Sequence, residues 1–71
     1  MLSNILYISY DGILEPLGQS QVLSYLERLS DKRTIYLISF EKSSDKKNKS
    51  LYTKISVRIN ESNIKWHPLT Y

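Results

Sequence analysis

The apolar positions of this chain fall into blocks whose period alternates between that of a strand and that of a helix. Ile5 to Tyr10, ILYISY, is apolar on both alternating faces, with Ile5 and Tyr7 on one and Leu6, Ile8 and Tyr10 on the other. Such a run, β-branched and aromatic, predicts a parallel-sheet strand covered on both sides. The segment DGILEPLG, Asp11 to Gly18, supplies turn residues, and a helix is expected to begin at Gln19 or Ser20. Val22, Leu23, Tyr25, Leu26 and Leu29 then form one stripe, because side chains three and four residues apart stack on a single helix face. Ser30-Asp31-Lys32 closes it.

Thr34 to Phe40, TIYLISF, predicts a second strand, with Ile35 and Leu37 opposed to Tyr36, Ile38 and Phe40. The polar connector EKSSDKKNK, Glu41 to Lys49, offers four helix-start candidates in Ser43, Ser44, Asp45 and Asn48. Leu51, Tyr52, Ile55 and Ile59 recur at helical spacing, and Asn60 to Asn63 mark the exit. Ile64 to Leu69, IKWHPL, reads as a short third strand that ends at Pro68 or lies on an edge, since proline cannot donate to a ladder.

The order β-α-β-α-β predicts an α/β fold: a partial Rossmann-like unit with a three-stranded parallel sheet. Right-handed crossovers stepping in one direction place both helices on one face. The other face, and the uncharged edge of the first strand, would then lack cover. Residues 1–71 therefore read as one incomplete domain, the opening of a longer one that supplies the second layer.

Length limits the chain to one small domain, which buries only about 60% of the surface that its unfolded chain exposes. No apolar run reaches the roughly 20 residues that span a bilayer, and the start MLSN lacks the basic residues of a leader peptide. A cytoplasmic location is the expectation. With no cysteine and one histidine, neither metal nor cofactor is expected. The net charge is +3, but Lys42, Lys46, Lys47, Lys49 and Lys54 cluster around the single acid Asp45. That cluster reads as a solvated surface or as a contact for anionic lipid at the inner face of a membrane. Nucleic acid is not an expected partner, because no aromatics interleave with the basic residues and no recognised module is present.

Candidate chemistry gathers in the loop after the first strand, where open α/β sheets bind ligands. Asp11, Gly12, Glu15, Gly18, Gln19 and Ser20 are the candidate substrate or phosphate-loop residues. Gly18 would let the backbone approach a ligand, and free N–H groups at Gln19 to Gln21 would favour a phosphate; equally, Gly18 would permit a tight strand-to-helix turn. Asp11 and Glu15 could accept from a ligand's hydroxyls or serve as turn and surface residues. Gln19, Ser20 and Gln21 could cap the helix or touch a ligand. No residue is assigned a catalytic role. His67 has no nearby carboxylate in sequence to orient it and reads as structural, as does Trp66, a core or interface side chain rather than a sugar platform.

These strings, ILYISYDGILEPLGQSQVLSYLERL followed by IYLISFEK and IKWHPLTY, resemble the N-terminal opening of family 4 glycosyltransferases. Those are retaining GT-B-fold enzymes that use nucleotide-sugar donors. The resemblance runs from Asn4 to Tyr71, and its most specific part is PLGQSQVLSYLERL, Pro16 to Leu29. It implies two Rossmann-like halves with the active site between them, the N-terminal half binding mainly the acceptor and the C-terminal half the nucleotide sugar. The family's paired-glutamate motif belongs to that C-terminal half and is absent from this sequence. Its glycine loop maps onto Gly12 to Gly18, with Leu17-Gly18 where many relatives carry adjacent glycines.

The resemblance thus implies an N-terminal fragment of a sugar transferase, inactive alone. Its donor and its glycan or lipid-linked acceptor, in polysaccharide or glycolipid assembly, would be engaged only with a C-terminal domain. GT-B enzymes typically hold the leaving diphosphate with positive side chains and helix dipoles, so no metal is implied. Two other readings compete. One is a small stand-alone α/β module that pairs its first-strand edge with a partner. The other is a dinucleotide-binding oxidoreductase fragment: Glu41 closes the second strand where such units place a ribose-binding acid, although Gly12 and Gly18 do not fit G-x-G-x-x-G.

Overall fold

The computed structural model describes residues 3–70. Three strands, β1 (Ser3–Ser9), β2 (Arg33–Glu41) and β3 (Ile64–Thr70), form one sheet in the order β1-β2-β3, and both pairings are parallel. Ile5, Ile35 and Ile64 stand in register, as do Tyr7, Leu37 and Trp66. Between β1 and β2 a helical segment covers 16–29: its middle, Gly18–Leu23, is π-helical, and it continues as α1 (Ser24–Leu29). Two helices, α2 (Ser43–Lys47) and α3 (Lys49–Asn60), connect β2 to β3. The architecture is the expected α/β unit, a three-stranded parallel sheet with helical crossovers.

Alternation along the strands sorts the side chains into two unlike faces. On one, Ile35, Leu37 and Ile64 pack with Leu23 and Leu26 from the first helical segment and with Ile55 and Ile59 from α3, and Ile13 and Leu14 of the first loop complete this core. Both crossovers therefore cover the same face, as right-handed connections require. On the other, Leu6, Ile8, Tyr10 and Leu69 are exposed, and Tyr36, Ile38 and Phe40 are half-buried. Tyr10 and Phe40 stack there with ring centroids 5.5 Å apart. The cover that two-faced apolar strands predict is present on one side among the described residues.

Several boundaries differ from expectation, each for a local reason. The first helix begins at Pro16, not at Gln19 or Ser20, and the Glu15 carbonyl accepts the Gln19 N–H at 2.9 Å. Proline suits a first helical position because its fixed φ is helical and its missing N–H would have no partner there. Tyr25 lies at the margin of the predicted stripe and is 48% exposed. The polar connector is not a plain loop, since Ser43, Ser44 and Asp45 enter α2. Of the four cap candidates, Asn48 is the one that caps α3, its side chain accepting the Leu51 N–H at 3.2 Å. β3 runs through Pro68 to Thr70, which an edge strand tolerates.

Candidate functional site

The carboxyl ends of β1 and β2 meet at a loop held by its own hydrogen bonds. Ser9 Oγ donates to the Asp11 carbonyl at 2.7 Å, and Gln19 Nε2 donates to the Leu14 carbonyl at 3.0 Å. Further along, Ser20 Oγ donates to the Leu17 carbonyl at 3.2 Å. Glu41, the last residue of β2, is fully buried beneath the loop. Its Oε2 accepts the Ile13 N–H at 3.0 Å and its Oε1 the Leu14 N–H at 3.1 Å. Two adjacent backbone donors are thereby satisfied by one side chain that belongs to the next strand.

The two glycines of the chain permit this closure. A β-carbon on Gly12 would stand 2.5 Å from Glu41 Oε1, and one on Gly18 would stand 2.1 Å from the Gly12 carbonyl oxygen. Only residues without a side chain let the helix start, the loop and the carboxylate approach so closely. Gly18 is buried, and the surface it approaches is the loop's own backbone. The amides expected to face an anion, Gln19 to Gln21, instead lie inside the helical segment.

Two hollows flank this loop. An open cleft of about 720 Å³ lies between it and α2, lined by Glu15, Pro16, Gln19, Lys42, Ser44 and Leu51 among others. A smaller one, about 140 Å³, gathers Asp11, Glu15, Leu17, Gly18 and Gln21. The six sequence candidates thus form one neighbourhood: Glu15 borders both hollows, Asp11 and Gly18 the smaller, and Gln19 the larger. Gly12 lies beneath them, and Ser20 is exposed on the helix. Lys42 Nζ stands 2.9 Å from Glu15 Oε1, an ion pair that joins the chain after β2 to the loop after β1. A third hollow, about 410 Å³, borders Asn60, Asn63 and Trp66. It runs between α3 and the outer edge of β3, from Asn60 to Pro68, and holds none of the six loop candidates.

The remaining candidates separate by burial. Trp66 packs against the core, its ring 5.3 Å from that of Tyr52, and its Nε1 donates to Ser39 Oγ at 2.8 Å. His67 is exposed on the open face, in register with Ile38. Lys46 Nζ donates to Thr70 Oγ1 at 2.9 Å, while Lys47 and Lys49 are exposed. Among the described residues no three His, Cys, Asp or Glu side chains are grouped to hold a metal ion, and no helix is long and apolar enough to cross a membrane.

Glu41 is the residue whose role the sequence misplaces. It stands at the strand end where a ribose-binding acid would be, yet its carboxylate is buried and engaged with the loop amides. The signal was present in the alternation: Ile35, Leu37, Ser39 and Glu41 share one parity, and the first two head the core. In comparison with known proteins, no family model, no curated protein and no solved structure matches the chain.

Proposed function

We propose that the chain is the acceptor-side part of a retaining glycosyltransferase, with donor binding and transfer requiring a second Rossmann-like domain. The observation that carries this reading is the cleft at the carboxyl ends of β1 and β2. There Glu15, Gln19, Lys42 and Ser44 offer hydrogen-bonding side chains around PLGQSQ, the start of PLGQSQVLSYLERL, the most specific part of the family resemblance. The cleft is open, and its polar groups stand beside the apolar Leu14, Pro16, Leu17 and Leu51, a mixture that can take both the hydroxyls and the C–H face of a sugar ring. The ligand is a glycan or lipid-linked sugar, and contact of Lys42, Lys46, Lys47 and Lys49 with anionic headgroups would bring the chain to a cytoplasmic membrane face.

The test is an amide NMR titration of the 71-residue chain with short oligosaccharides and with uridine- and guanosine-diphosphate sugars. Saturable shifts at Glu15, Gln19 and Ser44 with oligosaccharides, and no sugar release from the nucleotide sugars, are the expected results. Absence of any sugar effect at the cleft would overturn the proposal.

A second reading, a small α/β interaction module, is favoured by the open apolar face of the sheet. Concentration-dependent shifts confined to Leu6, Ile8 and Phe40, without any at the cleft, would select it.

A further inference from the structure

Two consecutive amides pointing at the two oxygens of one carboxylate are the arrangement by which backbones bind oxyanions. Ile13 and Leu14 present such a pair, with N···O distances of 3.0 and 3.1 Å, and both residues and the acid they hold are buried. The acid that fills it lies 27 and 28 residues away in sequence, so no local turn geometry enforces the contact. Gly12 makes the room, because any β-carbon there would collide with the same carboxylate.

We infer that the Ile13 and Leu14 amides form an oxyanion-binding pair whose resident anion is the Glu41 side chain. A ligand's carboxylate or phosphate therefore enters this loop only in exchange for Glu41. The loop is a closed anion site in this conformation, and Glu41 is the contact that keeps it closed. Charge supports the assignment of class: the donors are backbone N–H groups, which cannot serve a cation, and the occupant is an acid. The inference rests on the loop geometry and stands apart from the glycosyltransferase reading.

Removing the side chain should convert the closed site into an open one. In Glu41→Ala, the Ile13 and Leu14 amide resonances are expected to shift saturably on addition of sodium acetate or of inorganic phosphate. The Tm should rise by about 5 °C or more at saturation, because a ligand that binds only the folded state stabilises it. Sodium chloride at matched ionic strength should do neither, and the wild type should show no such response. A response to acetate alone defines a carboxylate site, and one to phosphate a site that also admits phosphoryl groups. No saturable response to either, or an equal response in the wild type, overturns the inference.

Should Glu41→Ala fail to fold with or without anion, Glu41→Gln decides. Its side chain is isosteric but presents one oxygen, so one amide of the pair should exchange with solvent at least about 10-fold faster than in the wild type. Unchanged protection of both amides would overturn the inference.

Discussion

Glycine is scarce in this chain, and both of its glycines border the same loop. At Gly18 the obstacle to any side chain is backbone, the Gly12 carbonyl at 2.1 Å and Ile13 Cα at 2.9 Å from the position of a β-carbon. Backbone on both sides cannot move aside as a flexible side chain can. Gly18→Ala is therefore expected to cost about 1–3 kcal/mol or more, the range for overpacking a filled site, and to lower the urea midpoint accordingly. An unchanged midpoint would mean that the loop and the helix start do not meet so closely. The sequence makes the glycines and the acids of this loop visible as a cluster. It does not reveal that Glu41 faces them, because that partnership depends on strand register and on a side chain crossing from β2 to the loop after β1. The parity of Ile35, Leu37 and Ser39 points Glu41 inward, but only the fold says what awaits it there.

Elements were legible where period and partner agree. β1, β2 and β3 follow their apolar runs to within one or two residues, and α3 follows Leu51, Ile55 and Ile59 from its Asn48 cap to its exit. The π-helical turn and α2 escaped the pattern. One is a change of backbone pitch that side-chain spacing does not record, and the other is five polar residues with no apolar stripe. The joint between helices was also hidden. Arg58 of α3 donates from Nε and Nη2 to the two carboxylate oxygens of Glu27 in α1, at 2.9 and 2.7 Å, and from Nη2 to Ser24 Oγ at 3.1 Å. A two-point contact of this type fixes geometry as well as energy. A double-mutant cycle of Arg58→Ala and Glu27→Ala is expected to give a coupling of about 0.5–1 kcal/mol, allowing for the partial exposure of both side chains. Additive effects would show the contact to be energetically idle. The hydrogen bond that Arg58 donates to Glu27, opposed by burial and aided by the charge of Glu27, holds the guanidinium above its ordinary pKa. A cation stabilised this way contributes fully below its unfolded pKa and loses that contribution only as pH rises through the higher folded value. The Arg58 side of the coupling should therefore stay flat across neutral and mildly alkaline pH.

For the molecule as a whole, the governing fact is that one face of the sheet is sealed and the other is open. Leu6 and Ile8 of β1, and Tyr10 just beyond it, lie on the open side at 62%, 49% and 75% exposure, beside an edge whose backbone groups are free of a fourth strand among the described residues. Apolar surface next to an unpaired edge promotes association. Leu6→Lys is expected to lower the weight-average mass in sedimentation at high concentration while moving the urea midpoint by no more than about 0.5 kcal/mol equivalent. A matching fall in stability would show that Leu6 is buried in the working form of the chain.

The contact between Trp66 and Ser39 has an optical meaning. Trp66 is the sole tryptophan of the chain, and it sits on the last strand, clasped between β2 through its indole N–H and α3 through Tyr52. Its emission is consequently a single-site readout of how firmly β3 is seated. Loosening of that edge strand would appear as a red shift in fluorescence before the helices report any loss in circular dichroism.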